Sequence, residues 1–177
     1  MKPPVSSRNE VCSKPGSKRP NYFAGQLLTA EGLRAEQEYF IEKLCQHNRA
    51  AFDVGIIKGL TITCRGKHVS VKPGFAMDIA SRLVELPMAC NFNLPSDNGT
   101  WDIILGLVEV QVDPAPSIDN IDANNGQNFY NIQEHIKLWI QETISKKEEN
   151  VPATAIMLGR ISAKNGQCKV VKFTDKK

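Results

Sequence analysis

Trp101-Asp102-Ile103-Ile104-Leu105-Gly106-Leu107-Val108-Glu109-Val110-Gln111-Val112 is the most strand-like run in the chain. Its apolar and β-branched residues follow one another too densely for a strand with one solvated face. The run therefore predicts a central strand, buried on both faces for part of its length. Asp113-Pro114-Ala115-Pro116 stops it, because proline cannot donate to a ladder.

On its N-terminal side the same signals repeat in shorter form. Ile56-Ile57 and Leu60 to Cys64 read as strand, with Gly59 as a bend or bulge. Arg65-Gly66-Lys67 is a turn. His68 to Lys72 then alternates, with Val69 and Val71 on one side, until Pro73-Gly74 ends it. Phe75 to Asp78, Leu83 to Leu86 and Cys90 to Leu94 give three more short strands, with a polar corner at Ser81-Arg82 and a turn cluster at Ser96 to Gly99. At the other end, Ala155 to Ile161 and Lys169 to Phe173 form a hairpin around Asn165-Gly166, a dipeptide suited to the left-handed turn conformation. Ile132, Ile136, Trp139, Ile140 and Thr143 fit helical spacing and predict a second helix near 131–148. The polar stretch 117–129 reads as a long loop.

The period is different before residue 55. Thr29 is a helix N-cap and Glu31 lies near the positive end of the dipole. Leu33, Phe40, Leu44 and Ala51 line one helical face up to about Phe52, and Gly55 marks the exit. Residues 1–20, rich in Pro, Ser and Lys, read as a flexible tail, so the expected organisation is that tail followed by a single β-rich domain over 21–177. The expected fold class is mainly β (α+β): antiparallel sheets in a sandwich or barrel-like arrangement, with one long N-terminal helix and the second near 131–148.

Composition narrows the function. The 177 residues carry a net charge of only +3, with much of the excess in the first twenty residues, so no nucleic-acid footprint is present. No run approaches the roughly 18 apolar residues that cross a bilayer, and the N-terminus has no secretory apolar core, which predicts no membrane insertion and a cytoplasmic protein. The five cysteines, at 12, 45, 64, 90 and 168, form no C-x-x-C pair and read as free thiols in a reducing compartment. His47, His68 and His135 fall on three different elements. Phosphate-loop, zinc-protease, nucleophile-elbow and dinucleotide motifs are all missing from the sequence. Glu36, Glu38 and Glu42 read as a solvated helix face partly paired with Arg34 and Lys43. Asp119, Asp122 and Asn124 lack the glycine and terminal glutamate of a calcium loop. The expectation is no enzyme, no metal and no cofactor.

One segment carries a specific resemblance. Arg19, Tyr22-Phe23, Gly25-Gln26-Leu27-Leu28-Thr29, Glu36-Gln37, Tyr39, Glu42-Lys43, His47-Asn48-Arg49, Gly55, Ile56-Ile57 and Gly59-Leu60 stand where the pattern of one family has them. That family comprises small proteins associated with phage-tail-like contractile injection systems. The segment is similar, more loosely, to the N-terminal shoulder domain of the type VI secretion baseplate subunit that resembles siphophage receptor-binding proteins. The chain departs from the pattern at Gly32 and Leu33, where an acidic residue and an aromatic are usual, and at Phe52-Asp53-Val54. Gly32 forfeits a capping box and costs about 1 kcal/mol of helix propensity. The resemblance implies a non-enzymatic baseplate or tail-associated module whose partners are other proteins of the assembly and further copies of itself, a trimer by analogy. It marks Tyr22, Phe23, Gln26, Leu27, Leu28, Glu36, Tyr39, His47, Asn48 and Arg49 as candidate interaction residues. The competing readings are a free-standing adaptor that docks a host partner through 117–148, and an enzyme assembled from scattered residues around His47 or His68.

Overall fold

Pairs of antiparallel strands build most of the protein in this computed structural model, which describes residues 16–115, 129–143 and 151–171. The order is α1 (Ala30–Ala51), β1 (Gly55–Gly59), β2 (Ile62–Arg65), β3 (His68–Val71), β4 (Gly74–Met77), β5 (Leu83–Leu86), β6 (Cys90–Asn93), β7 (Gly99–Pro114), β8 (Phe129–Glu142), β9 (Ile156–Lys164) and β10 (Gln167–Val171). The chain divides into two compact units, Met1–Gln46 and His47–Lys177, and α1 contributes to both.

The second unit holds three open antiparallel sheets, β1-β4-β5, β2-β3-β6 and β10-β9-β7-β8; none closes into a barrel among the described residues. Two neighbouring strands pass together from the first sheet to the second. Gly59 pairs with Gly74, and immediately beyond them Leu60 N–H donates to the Pro73 carbonyl at 3.2 Å. A Cβ on Gly59 would collide with that carbonyl, and the residue also needs its φ of +72°, so glycine is required twice over. The sequence reading placed a bend here, and the structure shows that it redirects two strands at once.

The core gathers alternate residues of all three sheets. Val69 and Val71 come from β3, Ala76 from β4, Val84 and Leu86 from β5. Trp101, Ile103, Leu105 and Leu107 come from β7, and Ile156, Leu158, Ile161 and Ala163 from β9. β7 is the central strand that its composition predicts, but only over its first half: β9 pairs it from Gly99 to Leu105, while β8 pairs it from Trp101 to Pro114. The β9–β10 turn is the one expected, with Asn165 and Gly166 at φ +52° and +74°.

Two expectations are corrected. The second helix near 131–148 is not there: residues 129–142 are β8, an edge strand in continuous register with β7. Ile132, Ile136 and Ile140 satisfy a four-residue step, but with Leu138 they also satisfy a period of two. Ile136, Leu138 and Ile140 pack on the core through that second period. Residues 144–148 of the expected helix, and 117–128 of the expected loop, lie outside the described residues, as do residues 1–15 of the expected tail. The cysteines are not all free thiols: Cys64 in β2 and Cys168 in β10 form a disulfide across a Cα separation of 6.0 Å, joining strands of two different sheets. Cys45 and Cys90 are free. No helix among the described residues is long and apolar enough to cross a membrane.

Candidate interaction surface

In the first unit, local chemistry shapes the segment leading into α1. Gly25, at φ +83°, lets the chain turn so that Gln26 N–H reaches the Phe23 carbonyl at 3.2 Å, while the Gln26 side-chain oxygen accepts from Phe23 N–H at 3.2 Å. Thr29 caps the helix: its hydroxyl oxygen accepts from Gly32 N–H at 3.1 Å. The Glu31 carboxylate, hydrogen-bonded to its own backbone amide and to the Thr29 side chain, is held below its ordinary pKa, with Arg34 adding a smaller electrostatic pull. Thus Glu31 supplies part of the acidic cap that glycine at position 32 cannot.

Tyr22 folds the lead-in back onto the helix. Its single hydroxyl proton is shared between Glu36 Oε2 at 3.1 Å and the Gly32 carbonyl at 3.3 Å. Desolvation first, and then the Glu36 hydrogen bond and charge, raise the Tyr22 pKa. Two candidate interaction residues, Tyr22 and Glu36, are therefore committed to each other. Tyr39 packs edge-on against Phe40 with ring centroids 5.5 Å apart, and Lys43 Nζ lies 5.6 Å from the centroid of the Tyr39 ring.

The apolar side chains of this unit are exposed. Leu27 is 82% exposed, Phe40 61% and Leu44 62%, and Phe23, Leu28, Leu33 and Ile41 are exposed as well. The stripe that the spacing of Leu33, Phe40 and Leu44 predicts is present, but none of the three is buried.

His47, Asn48 and Arg49 belong to the second unit, and there they part company. Asn48 is the buried residue of α1, and its amide donates to the Ser81 carbonyl at 3.0 Å. Arg49 Nε donates to the Ser81 hydroxyl at 3.2 Å, whereas His47 is exposed. Ser81 itself sits at φ +63° in a tight corner whose buried centre is Asp78. Asp78 accepts from the Arg82 amide at 2.8 Å and from Arg82 Nε at 2.8 Å. The rest of the Arg82 guanidinium reaches Glu109 at 3.4 Å and the Thr154 hydroxyl at 3.0 Å. This network anchors the end of the helix to the sheets. Sequence reading saw a polar corner at Ser81-Arg82 but had no signal for Asp78 as its buried hub.

Two other polar groupings lie on the sheets. Arg160 grips Asp102 through Nε at 2.6 Å and a second nitrogen at 3.1 Å, and Thr143 donates to the same carboxylate at 3.2 Å. Asp102 is thereby the chief cause of the raised Arg160 pKa. A depression of about 490 Å³ lies over β2, β3 and β6, and Thr63, Arg65, His68, Ser70, Asn91 and Asn93 are among its lining residues. His68 is there, whereas His135 lies on β8 and His47 on α1, so the three histidines are not brought together. Among the described residues, no group of three or more potential metal ligands gathers.

No family model matches the chain, and no curated protein matches it. Among solved structures it is similar to a crystal structure of TssK, with a TM-score of 0.49 and 10% identity over 88% of this chain and 42% of that one. It is also similar to the baseplate complex from the type VI secretion system, with a TM-score of 0.49 and 11% identity over 87% of this chain and 57% of that one. A cryo-electron-microscopy structure of the TssK-TssF-TssG baseplate subcomplex gives a TM-score of 0.45 and 13% identity over 87% of this chain and 60% of that one. The chain thus spans between 42% and 60% of the length of these structures.

Proposed function

We propose that this protein is a non-enzymatic assembly component of a phage-tail-like contractile injection system, baseplate- or tail-associated, that acts by binding other proteins, including copies of itself. Support comes first from the resemblance carried by Arg19 to Leu60. The observation that carries the assembly role is the exposed apolar surface of the first unit. Phe23, Leu27, Leu28, Leu33, Phe40, Ile41 and Leu44 all face solvent on a segment that is otherwise capped and hydrogen-bonded in detail. Apolar side chains this dense on a helix and the segment leading into it mark a protein contact. In this reading the three sheets are a shoulder-type β-sandwich, and three copies associate through the helical segment. Tyr22, Glu36 and Tyr39 shape that segment, whereas Asn48 and Arg49 bond Ser81 within the second unit rather than contact a partner.

The test is solution mass by light scattering over a wide concentration range, for the native chain and for a Phe40→Glu, Leu44→Glu variant. A stable trimer that the variant dissociates supports the reading. A native chain that stays monomeric throughout overturns self-assembly and favours the adaptor.

A further inference from the structure

We infer that the outer part of the β7–β8 hairpin is a two-fold docking arm, which adds β8 of one copy to β8 of a second copy. The inference concerns a different surface from the helical one and goes beyond the assembly role proposed above.

β9 stops pairing with β7 at Leu105, but β7 and β8 continue together to Pro114 and Phe129. Beyond Leu105 the sheet has therefore narrowed to two strands among the described residues. A two-stranded ribbon is of marginal stability in water, and a third or fourth strand is what secures it. Two features weaken this ribbon further. Glu109 lies directly opposite Glu134, a like-charge pair that destabilises a ladder, with Arg82 held on the Glu109 side. Beyond that pair Val110, Phe129, Tyr130 and Ile132 are exposed, Tyr130 at 69% and Ile132 at 65%.

The two edges of the arm differ. That of β7 carries devices that discourage pairing: Glu109 held by Arg82, Asp113 at φ +58°, and Pro114. Among the described residues β8 is the outermost strand of its sheet, and from Phe129 to Gln133 it has no proline, lysine or bulge. An edge of that kind is a template for strand addition.

The side chains argue for a second copy as the occupant. Two identical antiparallel edges meet about a two-fold axis, and the two-fold allows only registers that pair a residue with its own counterpart. Centred on Asn131, the pairing sets Tyr130 against Ile132 of the other copy twice over, an aromatic on a β-branched residue. It sets Phe129 against Gln133 and keeps the two Glu134 side chains apart. Centred on Ile132, the pairing would set Tyr130 against Glu134, and centred on Glu134 it would oppose two carboxylates. The Asn131 register turns two ribbons into one four-stranded sheet and covers Tyr130 and Ile132 together.

In that register the two residues at 131 stand about 5 Å apart between Cα atoms, within disulfide reach. Residues at 133 are offset by four positions, about 14 Å, and are out of reach. The experiment uses the full chain with Cys12, Cys45 and Cys90 changed to serine, to which Asn131→Cys or Gln133→Cys is added before mild oxidation and a non-reducing gel. The expected result is a covalent dimer for Asn131→Cys, at least ten-fold less for Gln133→Cys, and loss of the dimer when Ile132→Lys is combined with Asn131→Cys. Equal cross-linking at both positions, none at 131, or insensitivity to Ile132→Lys overturns the proposal. Since Asn131 bonds Asp113 at 2.8 Å, light scattering on Ile132→Lys alone gives a second readout that leaves that bond intact; an unchanged mass also counts against the arm. Adding Phe40→Glu and Leu44→Glu to Asn131→Cys separates the two ideas. A persisting cross-link alongside a loss of mass keeps both contacts, and a persisting cross-link with no change in mass removes only the helical one.

Discussion

Leu33, Phe40 and Leu44 on α1 and Ile103, Leu105 and Leu107 on β7 are the same kind of sequence signal, apolar residues repeating at the period of their element. Their fates are opposite. The β7 residues are buried in the core of the second unit, and Ile103 and Leu105 have no exposed surface left. The α1 residues are exposed, Phe40 at 61%. Periodicity predicts which residues share a face; it does not say whose surface will cover that face. In the second unit the chain itself provides the cover through neighbouring strands. In the first unit the helix is stabilised by Thr29, Glu31 and Tyr22 at its start, and its apolar face is left over.

The comparison breaks most forcefully at the disulfide. Cys64 and Cys168 lie 104 residues apart and tie β2 to β10, both in the second unit. Closing a loop of that size removes unfolded-state entropy worth about 4–5 kcal/mol in the chain-entropy picture. A Cys64→Ala, Cys168→Ala variant should therefore lose about 4 kcal/mol in urea unfolding followed by Trp101 and Trp139 fluorescence, both tryptophans being on β7 and β8. A loss below about 1 kcal/mol would mean that the sheets hold each other without the covalent link.

A smaller effect tests the two faces directly. Ile103→Ala deletes a fully buried side chain from β7 and should cost about 3–4 kcal/mol, the transfer loss plus the cavity left behind. Phe40→Ala removes a larger side chain from an exposed site and should change the stability of the isolated chain by less than about 0.5 kcal/mol. The contrast should shrink or reverse where the chain is assembled through α1. If Phe40→Ala costs as much as Ile103→Ala in a monomer, the stripe is internal and the assembly reading fails.

How much of this could be read in advance follows from the range of each interaction. The Thr29 cap, the Gly59 bend and the Asn165-Gly166 turn were legible because a few neighbouring residues decide them. β7 was legible because its apolar density exceeds what one face can hold. β8 was misread because Ile132, Ile136 and Ile140 suit both periods, and the arbiter, Leu138 facing Leu105 across the ladder, is a tertiary fact. The Cys64–Cys168 pairing was hidden for the same reason: nothing local to either cysteine announces a partner 104 residues away. Within the candidate set, Asn48 was marked by the resemblance alone, which carries no information on what its side chain meets in the fold. Its partner, the Ser81 carbonyl, comes from a corner that only the folded chain presents.

The smallest effect sharpens the first unit alone. Glu31 has its carboxyl pKa lowered from 4.5 chiefly by a hydrogen bond from its own amide, then by the Thr29 side chain. A carboxylate whose folded value is depressed contributes stability that is fully present above its unfolded value and is lost as pH falls through the folded value. The contribution should therefore persist at neutral pH, decline below about 4.5 and vanish once the folded-state carboxyl is protonated. Glu31→Gln removes the charge at every pH. Backbone hydrogen exchange in the first turn of α1 should then be faster in the variant at neutral pH, and the two proteins should converge in acid after correction for intrinsic exchange. The core amides of β7 should not notice, because Glu31 belongs to a different unit. Equal exchange in the two proteins at neutral pH as well as in acid would show that the side-chain amide replaces the carboxylate fully. The cap would then be a hydrogen-bonding device with no contribution from the helix dipole.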